Sequence, residues 1–210
     1  MIIKILSLLA KILWVKELGV FNGVALIIVI YIHEYGHYFK AKNLGYNPQI
    51  PRFIPFIGAY VKTDEIKNLN HSFQVTFFGP LSGGIVGLLF FYLGLIFDNK
   101  FISQLALFSI VLNLFNLLPI SIFDGGKIAR ILNLKYLYLI FTILAVILGI
   151  YFNAYLITIV AVIGLIIAYF SKNEQKTDFT VLDIKTRKKY LKYYFGLILL
   201  LSFHLLLITK

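Results

Sequence analysis

The chain has 210 residues, 60% of them apolar and 14% charged, with a net charge of +11 and a mean hydropathy of +0.88. Soluble proteins average about 45–50% apolar and about 25% charged residues, so this composition excludes an ordinary soluble domain, a disordered chain and a coiled coil. The charge does not indicate nucleic-acid binding, because Lys and Arg gather in the breaks between apolar runs, which is typical of a membrane protein in contact with the lipid bilayer.

Apolar runs that could cross a membrane follow one another along the chain. They cover residues 2–15, 18–39, 72–97, 101–123, 132–170 and 193–208. Because about 20 helical residues cross the hydrocarbon core, the run over 132–170 is too long for one span and is predicted to fold back at Tyr151-Phe152-Asn153. The sequence thus predicts an all-α polytopic membrane protein with six or seven transmembrane helices.

Connections rich and poor in Lys and Arg alternate between these runs. The rich connections lie at 40–71, 124–135 and 171–192, and the poor ones at 98–100, at the predicted turn and at the terminus. Since basic connections stay in the cytoplasm, the rich ones define the cytoplasmic face. The first of them also holds prolines and a β-like fragment at 57–61, which predicts a short strand region.

Three ionisable residues, His33, Glu34 and His37, lie within the second apolar run, where an ordinary membrane helix has none. On a helix, His33 and His37 project from one face at a spacing that a single zinc ion can bridge, and Glu34 borders the same ion. In this arrangement the histidines bind zinc, while the glutamate accepts a proton from the water that zinc activates. The alternative interpretation is two polar histidines at the end of an interfacial helix.

A catalytic zinc ion takes three protein ligands, and Asp124 is the candidate for the third. Asp124 ends the fourth run, two spans after the histidines, so it is expected on the same side of the membrane as His37. Pro119 should end or kink the fourth helix and let the chain bend back toward the histidines. Because His33 lies about 10 Å inside Lys40, we expect the metal just below the cytoplasmic surface.

Glycines and asparagines in the third and fourth runs have two interpretations each. Gly79, Gly83 and Gly87 recur every four residues, and this strip either seats the metal-binding helices or serves general helix packing. Asn113 and Asn116 could each hydrogen-bond a substrate carbonyl or another helix. For Asn116 we favour the substrate.

Four segments stand in a fixed order between residues 31 and 127. They are His33-Glu34-Tyr35-Gly36-His37, Pro-Phe-Ile-Gly-Ala-Tyr-Val at 55–61, Gly79-Pro80-Leu81, and Asn116-Leu117-Leu118-Pro119 leading to Asp124-Gly125-Gly126. Together they resemble the site-2 protease family, peptidase family M50, whose members are intramembrane zinc metalloproteases. The chain departs from the family pattern at Phe78, where a small residue is usual, at Gly83, where many members carry Asn, and at Ala59, which replaces a common second glycine.

The resemblance implies a three-helix catalytic core, one zinc ion held by His33, His37 and Asp124, and Glu34 as the general base. It implies a membrane-spanning or membrane-associated protein substrate, cut within or next to the bilayer in regulated intramembrane proteolysis, in a prokaryotic cytoplasmic membrane. We expect one membrane-embedded peptidase domain over 1–210, with its core at about 18–130, accessory helices at 1–17 and 132–210, and no PDZ or CBS domain.

A small β-like, membrane-associated hairpin is expected after the zinc-motif helix. It could hold an unwound substrate by strand addition, with contacts from Gly58, Ala59 and Tyr60. Two alternatives to a protease are a catalytically silent zinc-binding membrane scaffold and a metal or proton transporter. The scaffold would have no need of Glu34 as a base, and the transporter would need acidic residues along a path to the far face, where the sequence places Asp98.

Overall fold

The computed structural model describes residues 19–54, 58–120, 123–151, 162 and 182–209. The elements in chain order are α1 (Val20–Asn43), β1 (Arg52–Ile54), β2 (Gly58–Tyr60), α2 (Leu69–Phe97), α3 (Lys100–Asn116), α4 (Asp124–Ile131), α5 (Lys135–Tyr151) and α6 (Ile184–Ile208). This confirms the mostly helical fold predicted from composition. The predicted apolar run at 2–15 lies outside the described residues, as does most of the predicted turn after α5.

Three helices of the described chain, α1, α2 and α6, are long and apolar enough to cross a membrane. Two shorter apolar helices lie at Lys100–Asn116 and Tyr136–Leu148. Large apolar side chains point outward along these helices, and Ile85, Leu89 and Leu95 of α2 are each more than half exposed. Such an apolar exterior is unfavourable in water and favourable against lipid tails, so the helices match a membrane environment.

The end of α3 is set by the proline that follows it. The sequence predicts an apolar run to residue 123, but the helix ends at Asn116. Pro119 is incompatible with a continuing helix, because it lacks an amide hydrogen and restricts the residue before it. Turn hydrogen bonds replace the helical ones, among them Ile120 N–H to the Leu118 carbonyl at 2.7 Å. The prediction that Pro119 interrupts this run is confirmed.

The last helix begins earlier than hydropathy predicts. The apolar run starts at 193, whereas α6 starts at Ile184 and includes the basic residues before it. Asp183 caps this end, because its Oδ1 accepts the backbone N–H of Thr186 at 2.9 Å. Hydrogen bonds from Thr186 lower the pKa of the Asp183 carboxyl from its ordinary value. The cap is therefore present at neutral pH and is lost as the pH falls through the lowered pKa.

The chain divides into two compact units, and boundaries between the units fall within α2 and within α6. The first unit takes Met1–Glu65, Phe78–Leu114 and Gly196–Lys210. In it, Ala25, Val29 and Leu105 form a buried apolar cluster that joins α1 to α3. A Cβ at Gly36 would overlap the Ser82 side chain and the Phe78 carbonyl oxygen, so α1 and α2 approach closely at this point.

The short strands belong to the first unit and pair antiparallel. Arg52 lies opposite Tyr60, Phe53 opposite Ala59, and Ile54 opposite Gly58. The N–H of Gln49 donates to the Lys62 carbonyl at 2.7 Å and extends the pairing beyond the strands. Strand β2 packs against α1, so the strand region lies beside the helix that carries the histidines.

The second unit takes Ile66–Phe77 and Phe115–Phe195. Aromatic rings join the two ends of this unit: Phe73 stacks on Tyr190 with ring centroids 3.8 Å apart. Tyr194 is almost fully buried, and its hydroxyl donates to the Leu117 carbonyl at 2.5 Å. That bond fixes the backbone just after α3, in the turn that leads to Asp124.

Candidate metal centre

The two histidines of α1 point their Nε2 atoms toward each other. His33 is buried and His37 half-buried, and the Nε2 atoms lie 3.1 Å apart, with the rings nearly perpendicular at 81°. Two nitrogens on one tetrahedral zinc ion, each at about 2.0–2.1 Å, lie about 3.3 Å apart. The pair is thus close to the geometry that a single metal ion requires. It follows from the one-turn spacing within α1.

The glycine strip of α2 provides the space beside this pair. A Cβ at Gly79 would overlap the His37 imidazole, one at Gly83 would overlap the Asn113 side chain, and one at Gly87 would press against Ser109. The strip therefore lies against a histidine of the metal motif and against α3. This supports the interpretation that the strip seats these helices, because any side chain would hold them apart.

Asp124 is the first residue of α4, directly after Phe123 in an extended conformation. Its side chain is buried, and its Oδ1 lies 3.4 Å from the Lys127 ammonium. The next residue, Gly125, packs on backbone oxygens, and a Cβ there would overlap the carbonyls of Leu117 and Leu118. The turn thus requires glycine immediately after the carboxylate, as the Asp-Gly-Gly sequence supplies.

His33 and His37 in the first unit and Asp124 in the second are the residues that could hold a metal ion, and each offers one ligand atom. Two imidazoles and one carboxylate are a donor set found in catalytic zinc sites, and the chain has no cysteine that could supply a thiolate. The residues present therefore fit zinc.

Glu34 lies on α1 between the two histidines in sequence and is buried, with 9% of its surface exposed. Among the other predicted site residues, Asn116 is half-buried at the last position of α3, and Gly58, Ala59 and Tyr60 form β2. Sequence reasoning left the role of Asn113 open, and the structure hydrogen-bonds its side chain to His33. Asn113 and its helix are 80 residues from His33, so no local spacing could indicate the contact.

Comparison with known proteins gives the same family as the sequence motifs. The family model described as Peptidase family M50 matches residues 22–99, which include the histidine motif, the strands and the Gly-Pro segment. Over these residues the chain is similar to peptidase family M50. It is 31% identical over 122 residues to zinc metalloprotease MJ0392 of the archaeon Methanocaldococcus jannaschii. That match covers 55% of this chain and 35% of the relative, so the chain spans about a third of the relative's length.

A solved structure shares the fold of this chain. The site-2 protease from Methanocaldococcus jannaschii superposes with a TM-score of 0.55 at 24% identity. The match covers 84% of this chain and 92% of the solved one. The fold of the chain is therefore similar to that of this solved structure.

Replacing Gly79 with alanine is expected to weaken zinc binding about 10- to 100-fold, the range typical when groups that orient ligands are lost. The added methyl would occupy the position of the His37 ring, which must then turn away. Alanine is the best helix former, so α2 itself should persist. Competition with a chelator of known zinc affinity measures the effect.

The matched control is Gly196→Ala in α6, where a Cβ would meet nothing within 4 Å. That variant should bind zinc like the wild type. Equal zinc affinities for Gly79→Ala and Gly196→Ala would contradict the conclusion that His37 packs against Gly79.

Proposed function

We propose that this chain is an intramembrane zinc metalloprotease that hydrolyses peptide bonds of membrane-spanning or membrane-associated proteins, within or next to the bilayer. The observation that carries the proposal is the pair of facing Nε2 atoms of His33 and His37, with the buried Glu34 next to His33 in the sequence. The match of residues 22–99 to the model of peptidase family M50 supports it.

In this proposal His33, His37 and Asp124 would hold the zinc ion, since three protein ligands are typical of catalytic zinc sites. When bound, zinc supplies Lewis acidity, which polarises a carbonyl and lowers the pKa of water from 15.7 toward about 7. A structural site would use four protein ligands and no base. The three-ligand group with a neighbouring glutamate therefore favours catalysis over a scaffold.

Glu34 is the proposed general base. Its carboxylate accepts a proton from the attacking water and then gives it to the nitrogen of the leaving amine, so the same residue serves as base and acid. Burial keeps bulk water from competing for this proton and strengthens electrostatic interactions within the site. Comparing cells that make the wild type or the Glu34→Gln variant tests the proposal. Cleaved fragments of membrane proteins should accumulate with the wild type alone.

Strand β2 is the proposed holder of the substrate. A helical substrate hides its peptide bonds in its own hydrogen bonds, so it must unwind, and a free strand edge can keep it extended. Strand β2 packs against the histidine helix, which supports this role for Gly58, Ala59 and Tyr60. We also propose that Asn116 hydrogen-bonds a substrate carbonyl, because this residue is only half-buried at the end of α3.

Proline at Ala59 or at Tyr60 tests the strand. Neighbouring residues of an antiparallel strand direct their amides to opposite edges, so one of the two prolines removes a donor that faces away from β1. That variant should lower kcat/KM roughly 3- to 10-fold, the loss expected from one hydrogen bond, with its zinc content unchanged. Parallel losses of zinc and cleavage in both variants would contradict the proposed role.

We further propose that the chain is an integral protein of a prokaryotic cytoplasmic membrane. Its six or seven spans would form one peptidase domain, with the metal near the cytoplasmic face. The basic residues Lys40 and Lys42 in the last turn of α1 support this orientation. Because the chain has no cysteine, single introduced cysteines can report the orientation of the protein in the membrane. A cysteine at Lys42 in sealed inside-out vesicles should react with an impermeant maleimide, and one at Asn99 should not. The reverse labelling pattern would contradict the orientation.

A further inference from the structure

Asn113 is completely buried on α3, and both ends of its amide have defined partners in the first unit. Its Nδ2 donates to the Ser109 carbonyl at 2.7 Å, and its Oδ1 lies 2.8 Å from His33 Nδ1. A carbonyl oxygen can only accept, so the contact with Ser109 determines which end of the amide is nitrogen. The atom that faces His33 is consequently an oxygen, which also can only accept.

This orientation determines the tautomer of His33. Since Asn113 Oδ1 has no hydrogen to give, the proton of the bond must reside on His33 Nδ1. The lone pair of the neutral imidazole is then on Nε2, the atom that lies 3.1 Å from His37 Nε2. Histidines that bind metals commonly donate their second ring nitrogen in this way, and the bond sets both the tautomer and the ring orientation.

Gly83 makes room for this amide. A Cβ at Gly83 would overlap the side-chain nitrogen, oxygen and carbon of Asn113. Ser109 secures the same helix contact by donating its hydroxyl to the Gly83 carbonyl at 2.8 Å. The backbone of α2 is thus held against α3 at the level of the amide, and the space left by the missing side chain is the space that the amide fills.

We propose that Asn113, seated on Gly83, is a positioning residue that fixes His33 as the Nδ1-protonated tautomer and so presents Nε2 to zinc. The inference rests on the proposed zinc function. It assigns Asn113 to the metal centre and excludes it from substrate binding, because the fully buried amide has no exposed surface with which to reach a substrate.

The direct test is the nitrogen NMR spectrum of the full-length, metal-free protein in nanodiscs, labelled at histidine and assigned with a His33→Gln variant. The wild type should show His33 with its proton on Nδ1. A wild-type His33 with its proton on Nε2 overturns the proposal without reference to any Asn113 variant.

Zinc affinity gives the second readout, by chelator competition with Zn²⁺ alone. Asn113→Leu removes the acceptor at similar size and should weaken binding about 10- to 100-fold, whereas Asn113→Asp keeps an acceptor and should stay within a few-fold of the wild type. Gly83→Ala should weaken binding as Asn113→Leu does, and the two losses should not add, because both remove one interaction. Gly196→Ala, where the added Cβ would meet nothing within 4 Å, should bind zinc normally.

Wild-type affinity in Asn113→Leu, or equal losses in the leucine and aspartate variants, would overturn the positioning role. Those outcomes leave the proposed function intact as long as the wild type binds zinc and cleaves. A wild type that binds no zinc, with His33 still protonated on Nδ1, would instead contradict the proposed function. The two failures are therefore distinguishable.

Discussion

The Glu34→Gln variant is expected to retain its zinc and to lose cleavage by a factor of about 10² to 10⁴, the contribution typical of a positioned general base. Glutamine has nearly the same size as glutamate and should fill the same buried space. Its neutral amide cannot take the proton of the attacking water, so the chemical step should fail while the substrate still binds. Single-turnover cleavage measures the rate of the chemical step, and metal analysis of the same preparation measures the zinc content.

A matched control for this variant is Glu65→Gln, which makes the same chemical change in an exposed residue outside the helices. It should leave cleavage and zinc unchanged. If Glu34→Gln cleaved at the wild-type rate, the base would have to be another residue. A wild-type protein that moves zinc or protons across vesicles but releases no fragments would favour the transporter alternative.

Substitution of Asp124 by alanine is expected to produce the largest loss of zinc affinity outside the histidine pair. It removes a ligand itself, so the loss should exceed the 10- to 100-fold range that applies to groups which merely orient ligands. Cleavage should fall together with zinc occupancy. Isothermal titration of the metal-free protein with Zn²⁺ measures the first effect, and a cleavage assay at saturating zinc tests whether activity returns.

Lys127→Ala is the comparison for Asp124→Ala, because Lys127 contacts the Asp124 carboxylate at 3.4 Å and has a largely exposed side chain. An exposed ion pair of this kind contributes about 0–1 kcal/mol, so this variant should change zinc affinity by a few-fold at most. Zinc binding of wild-type strength in Asp124→Ala would show that the third ligand lies elsewhere. Removal of zinc by a chelator should inactivate the wild type, and added zinc should restore it.

The histidine pair was predictable because its geometry is local. Residues one turn apart on a helix face the same direction whatever surrounds them, so His33 and His37 could be paired from spacing alone. Asp124 required more, since its proximity depends on the topology of two intervening spans. The alternation of basic connections is the basis for expecting Asp124 on the same side of the membrane as His37.

The hydrogen bond between Asn113 and His33 could not be predicted. The sequence contains Asn113 and Asn116 on one short stretch, and neither spacing nor polarity tells which of them faces the histidines. Which asparagine faces the histidines depends on the rotation of α3 about its axis, which is set by packing on Gly83 and its neighbours.

Helix ends were missed for a different reason. Hydropathy marks where apolar residues stop, whereas α6 continues through Lys and Arg because these residues form helices well.

The buried phenol of Tyr194 gives the last helix a part in holding the turn that leads to Asp124. Its hydroxyl holds the Leu117 carbonyl, and the same carbonyl lies against Gly125, the neighbour of Asp124. The backbone that precedes Asp124 is thus held by a side chain 77 residues beyond Leu117 in the sequence. A fragment that keeps this support for Asp124 must extend through residue 194, well beyond residues 22–99, which match the family model.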